Sequence, residues 1–141
     1  MNVKRIALAS IITWIVGTAI KWLTCGWLFS WVYMMPPNIW KSPEVMMSPT
    51  YMILGNIGGL IVSALFVIVF AIIFKGIPGK GAQKGAIYGV LIWLVASVGG
   101  IALMPLYMTV SGTVVVYWIV QALAINLING AIVGALYMPK K

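Results

Sequence analysis

The chain has 141 residues, of which 63% are hydrophobic, with nine Lys and Arg, a single acid and no His. A water-soluble domain carries about 25% charged residues; the 7% found here, with a mean hydropathy of +1.11, is too little to cover a soluble surface. The +8 charge would suggest nucleic acid in a soluble protein, but these basic residues flank apolar runs, so membrane lipids are the expected partner and nucleic acid is not. One Cys excludes an intramolecular disulfide and any paired-Cys redox or zinc motif.

Lys4 and Arg5 precede an apolar run from Ile6 to Ile20 that imitates a secretory signal. No small-x-small site follows before the aromatic run from Trp22 to Tyr33, so the segment reads as a retained first helix. A spanning helix needs about 20 mostly apolar residues. Four segments qualify, at about 6–29, 50–74, 82–104 and 113–137. The first runs on toward Tyr33 and exceeds the hydrocarbon thickness, which predicts a tilt or a break near Gly26. Between the first two spans, Pro36, Pro37, Pro43 and Pro49 make Met34 to Pro49 an ordered Pro/Met/Trp-rich cap without regular helix. The Lys75–Lys84 turn (KGIPGKGAQK) is short and Gly/Pro-rich. The expected fold is all-α: one transmembrane domain over 1–141, an integral four-helix bundle.

Charge orients it. Lys4, Arg5, Lys75, Lys80, Lys84, Lys140 and Lys141 fall on one side, and only Lys41 lies in the opposite loops. That asymmetry predicts both termini in the cytoplasm. Trp22, Trp27, Trp31, Trp40 and Trp118 gather toward the outer boundary, where indole is both apolar and a donor.

At 100° per residue each span gathers its small and polar residues on one face. The first has Ser10, Thr13, Gly17, Lys21 and Thr24; the second Gly55, Asn56, Gly59 and Ser63. The third has Gly81, Gly85, Gly89, Ala96 and Gly100; the fourth Ala122, Asn126, Asn129 and Gly130, with Gly134 close by. Lipid gives no hydrophobic drive between helices, so such stripes are expected to be contact faces. Asn56, Asn126 and Asn129 read as polar glue between spans or as a polar binding spot at mid-membrane.

Lys21 is the one charge inside a span. It lies 16 residues after Arg5, about 24 Å along a helix, and no span carries an acid to pair with it. Two arrangements follow: a contact with Glu44 beneath the outer loop, or a water-filled vestibule; a third is snorkelling to the headgroups. Lys21, Asn56, Asn126 and Asn129 form the candidate polar interior. Met34, Met35, Met46 and Met47 offer soft ligands to Cu(I), but without His and without dense Met spacing a packing surface is favoured. Cys25 reads as a small buried or lipid-facing residue.

Without His there is no imidazole base or His-based metal site, and one carboxylate gives no acid pair and no intramembrane relay. No cofactor and no enzyme activity are expected.

The basic start, the aromatic first-span exit (CGWLFSWVY), the KGAQKGAIYG entry to the third span and the closing GAIVGALY resemble small uncharacterised four-helix bacterial inner-membrane proteins. The resemblance implies a multi-pass protein of the cell's inner membrane and no particular activity. The chain does not resemble the small multidrug-resistance transporters, which rely on a first-span glutamate, nor the paired-Cys, quinone-linked four-helix oxidoreductases.

Many packing motifs and few reactive groups point first to a non-catalytic membrane subunit or scaffold, in a homo-oligomer or larger membrane complex. The alternative is a small oligomeric channel or carrier for a neutral or anionic solute. A third is a lipid- or quinone-like ligand held between spans near Trp93.

Overall fold

A computed structural model describes residues 3–37 and 39–137. Four helices in it are long and apolar enough to cross a membrane: Val3–Leu28, Pro49–Gly76, Gly81–Tyr107 and Gly112–Leu136. Among the described residues there is no strand. Large aliphatic side chains such as Leu54, Leu65 and Val95 stand exposed along the helices, as a chain solvated by lipid requires.

Consecutive helices run in opposite directions, so the chain has a basic end and an aromatic end. At the basic end Arg5 donates to the Leu136 carbonyl at 3.4 Å, and Lys84 Nζ donates to the Phe74 carbonyl at 2.7 Å. Both cations meet carbonyls at a helix C-terminus, where the unpaired acceptors and the negative pole of the helix lie. Lys140 and Lys141, expected at this end, fall outside the described residues.

The tightest contact joins the third and fourth helices. A Cβ on Gly85 would lie 2.6 Å from the Gly134 nitrogen and overlap the Gly130 carbonyl outright. One on Gly89 would be 2.8 Å from the Asn126 carbonyl carbon, and one on Gly134 would overlap the Gly81 carbonyl. Backbone meets backbone here, which only glycine permits. Gly17 faces the Asn129 amide at 3.1 Å and Gly59 faces the Trp14 indole at 3.3 Å, as virtual Cβ distances. Gly55 differs from the expected packing role: a Cβ there would meet nothing within 4 Å.

The second helix packs its backbone closely on the first, and reaches the third and fourth mainly through aromatic side chains. Phe66 and Phe70 lie 4.7 and 5.1 Å from the Tyr88 ring, and Phe70 and Phe74 lie 5.8 and 5.4 Å from Tyr137. With Ala9, Val67, Ile77 and Val133 these residues make the buried core, which therefore occupies the basic half of the bundle.

Two π-turns depart from the regular period. In the first helix, Phe29 N–H donates to the Thr24 carbonyl at 2.8 Å, five residues back, so Thr24–Leu28 is π-helical; the break expected near Gly26 is this widening. In the third helix the segment Trp93–Val98 is π-helical. The wider turn rotates the stripe, so Ser97 is buried, Ala96 is exposed and Gly100 meets nothing. Ala96 and Gly100 thus leave the contact face that a uniform 100° step assigned to them.

A 3₁₀ segment, Ser30–Met34, leads into the loop expected to lack regular helix, and the loop itself holds one α-turn, Pro43–Met46. Pro43 and Pro49 each stand at a helix start, where a missing N–H removes no intrahelical bond. Gly85→Ala and Gly130→Ala should each destabilise by about 1–3 kcal/mol through overpacking. Gly55→Ala, with open space around it, should be neutral or gain up to about 1 kcal/mol from helix propensity. Thermal unfolding of the detergent-purified variants, followed by size-exclusion, checks the contrast.

Candidate functional site

Above the aromatic core, toward the aromatic end, the helices line a half-open cavity of about 470 Å³, within the usual range of ligand pockets. The first helix lines it with Thr13, Trp14, Gly17, Thr18 and Lys21, and the second with Gly55, Gly58, Gly59, Val62, Ser63 and Phe66. The fourth contributes Trp118, Gln121, Ala122, Ile125, Asn126 and Asn129; the third contributes Ile101. The space follows from the packing just described. Glycines on the second helix present no side chain to fill it, and that helix closes on the third only further down, at Phe66 and Phe70.

Three members of the expected polar interior, Lys21, Asn126 and Asn129, share this cavity. Asn56 does not. It lies with Ile15, Ala19 and Trp22 in a separate groove on the flank of the first two helices. One residue beyond Gly55 is 100° around the helix, enough to carry Asn56 off the cavity face. The amides are not glue of the expected kind either: Asn126 and Asn56 donate to carbonyls four residues back in their own helices, Ala122 and Met52, each at 2.8 Å.

Two buried polar atoms on the cavity's lining residues, Trp14 Nε1 and Asn129 Oδ1, have no hydrogen-bond partner among the described residues. Such an atom costs about 1–3 kcal/mol. The hydroxyls are occupied differently: Ser10 and Thr13 donate to the Ile6 and Ala9 carbonyls at 2.8 Å. Thr24 donates to the Ile20 carbonyl at 2.7 Å and to the Lys21 carbonyl at 3.3 Å, so it meets the Lys21 backbone and not its ammonium. No ion pair joins Lys21 to Glu44 among the described residues; Lys21 is exposed and contributes to the cavity lining.

The basic side of the cavity is sealed. Tyr88, fully buried, donates its hydroxyl to the Phe66 carbonyl at 2.6 Å. Phe66 is the cavity floor, and Phe70, Val67 and Tyr137 lie beneath it. At the other end the cap is held by stacked rings. Tyr33 and Trp40 are 4.8 Å apart, Trp40 and Trp118 5.6 Å, and Phe29 and Tyr117 5.3 Å. Lys41 lies 4.6 Å over the Tyr51 ring and bonds its hydroxyl.

Sequence reasoning missed the cluster around Cys25. The thiol accepts from Gln121 Nε2 at 2.9 Å, from the Tyr33 hydroxyl at 3.1 Å and from the Tyr117 hydroxyl at 3.7 Å. Gln121 also donates to Thr24 Oγ1. The half-buried thiol is therefore the hub that ties the π-turn, the cap and the fourth helix, where a small buried or lipid-facing residue was expected. Burial, and after it the thiol contact, pushes the Tyr33 phenol well above its ordinary range. The π-turn delivers this grouping, and no residue pattern announces a π-turn.

A second space of about 600 Å³ is an apolar groove between the first and fourth helices, lined by Phe29, Trp31, Val116 and Val120 among others. Trp93, around which a bound lipid or quinone was expected, lines neither space; its Nε1 donates to the Ile119 carbonyl at 2.8 Å. Met34, Met46 and Met47 are exposed around the cap, and no group of three His, Cys, Asp or Glu residues is assembled among the described residues. No family model, no curated protein and no solved structure matches the chain. The resemblance to small inner-membrane proteins therefore carries no further than four apolar helices that fit a membrane protein.

The two unlike tryptophans give a direct check. Trp93→Phe deletes a made hydrogen bond and should cost about 1 kcal/mol. Trp14→Phe deletes an unpartnered buried N–H and should leave the melting temperature unchanged or raise it. Melting of both variants in the same detergent decides.

Proposed function

We propose that this multi-pass membrane protein holds a small neutral or anionic solute in its interior cavity and passes it across the membrane, as a channel or carrier with no reaction of its own. The observation that carries this is the convergence of Lys21, Asn126 and Asn129 on one 470 Å³ space, beside two buried polar atoms that lack partners. An intramembrane ionisable group that faces a cavity marks a solute path by default. The aromatic core below Phe66 closes that path on one side, as alternating access requires of a resting state.

A scaffold role was the first expectation from the glycine stripes. Those of the third and fourth helices meet each other, so they are used within the chain and are not offered to a partner. One observation still favours a contact surface: Trp22, Trp27, Met34, Met47 and Tyr107 are each at least two-thirds exposed around the aromatic end, at 73%, 67%, 78%, 74% and 83%. A homo-oligomer or a larger membrane complex would use that rim, and a lone monomer in mild detergent at native expression levels counts against it.

The membrane is the cell's inner membrane, with the basic end in the cytoplasm, supported by the excess of Lys and Arg there. In a Cys25→Ser background, Lys41→Cys should react with a membrane-impermeant maleimide in intact cells, and Lys80→Cys only after permeabilisation. The reverse pattern inverts the topology.

Osmotic shrink–swell measurements on proteoliposomes, with a panel of small neutral and anionic solutes, test the function. At least one solute should cross faster than in protein-free liposomes. Gly58→Leu, which fills open space beside the cavity, should abolish the excess while the protein stays folded. Flux equal to protein-free liposomes for every solute, or flux unaffected by Gly58→Leu and Lys21→Met, refutes the proposal.

A further inference from the structure

The lining of the cavity is chemically lopsided. It contains one ammonium, from Lys21, and no carboxylate. The single acid of the chain, Glu44, lies in the cap, on the one-turn helix Pro43–Met46. A cation within a span is costly without a counter-charge, and the chain supplies none at this site. The other polar features lie deeper. Gly17, one turn below Lys21, faces the Asn129 amide, and Trp14 is a further turn down, against Gly59. At 1.5 Å per residue these levels are about 6 and about 10 Å from Lys21 along the helix. Among the described residues Asn129 Oδ1 lacks a donor and Trp14 Nε1–H lacks an acceptor, and both atoms are buried away from the open space.

We propose that the cavity takes an oxyanion, carboxylate or phosphate, whose charged group rests on Lys21 Nζ. This rests on the solute-cavity reading above and narrows it to one ligand class. A hydroxyl both donates and accepts, so a hydroxylated anion also suits the Thr18 and Ser63 side chains that share the lining. An ammonium-bearing solute is disfavoured, because no carboxylate lines the space to receive it. Two sources present this chemistry: a free hydroxylated anion, and the phosphate and glycerol hydroxyls of an anionic lipid headgroup.

The test uses the full chain in phosphatidylcholine nanodiscs, reading intrinsic tryptophan fluorescence, since Trp14 and Trp118 line the cavity. Glycerate, glycerol 3-phosphate and uncharged glycerol are titrated, and in a second arm phosphatidylglycerol is added to the bilayer. The expected result is a saturable response to the anions, at least about tenfold tighter than to glycerol, the size of one charge-assisted hydrogen bond. Lys21→Met should remove that advantage, while Lys21→Arg and Lys41→Met keep it. A response to the soluble anions identifies a free solute; a Lys21-dependent response to phosphatidylglycerol alone identifies the headgroup.

Glycerol binding as tightly as the anions overturns the oxyanion assignment and leaves the solute cavity standing. So does a Lys21→Met protein that melts cooperatively and responds as the wild type does. Should Lys21→Met fail to fold, the comparison of glycerol with glycerate in the wild type, together with Lys21→Arg, still decides. Silence toward all three solutes and toward phosphatidylglycerol overturns the assignment, and the absence of any flux would then remove the cavity reading as well.

Discussion

The bundle is organised by a backbone-to-backbone contact between its third and fourth helices. Gly85 and Gly89 on one side and Gly130 and Gly134 on the other leave no room for a single methyl group. In lipid, where apolar surface gains nothing by meeting apolar surface, such proximity is what holds helices together through dispersion. The contact sets the two backbones directly against each other. The first helix follows the fourth through Gly17, but the second has no comparable surface to approach. It touches the third and fourth through bulky rings at the basic end and stands off elsewhere. Core and cavity are thus two consequences of one asymmetry: rings fill the basic half, and glycines leave the other half open.

That opening gives the few polar groups a place to act. Lys21, exposed at one side, also lines a cavity it shares with two asparagines. Thr13 turns its hydroxyl back on the Ala9 carbonyl, and the rest of the lining holds an ammonium, amides and the Thr18 and Ser63 side chains, a set suited to holding a solute. The seal beneath it is held by side-chain chemistry: Tyr88 spends its hydroxyl on the Phe66 carbonyl of the second helix and buries its ring among phenylalanines.

Much of this was legible in the chain. Apolar length and charge placement located four helices, because spanning a bilayer imposes a length and a composition that few other constraints imitate. The glycine stripe from Gly81 to Gly89 was readable because small residues at a spacing of four have few other uses in a membrane helix. What escaped was whatever depends on departures from 3.6 residues per turn. The π-turn at Trp93–Val98 moves the face from Ala96 to Ser97, and the one at Thr24–Leu28 turns Cys25 toward Tyr33 and Gln121. Asn56 escaped for a simpler reason: a stripe drawn one residue too wide takes in a side chain 100° away from its centre. Gln121 lies on both the cavity and the groove, yet a lone glutamine within a span carries no pattern to single it out.

The central claim is that water and solute reach the middle of this bundle from the aromatic end and stop at the rings. Substituted cysteines in a Cys25→Ser background address it most directly, because a thiol reacts with a charged methanethiosulfonate only where water ionises it. Ser63→Cys, on the cavity wall, should be modified from the aromatic end, while Val67→Cys, in the core one turn below, and Ile61→Cys, on the exposed apolar face, should not. Modification of all three alike, or of none, would contradict the account.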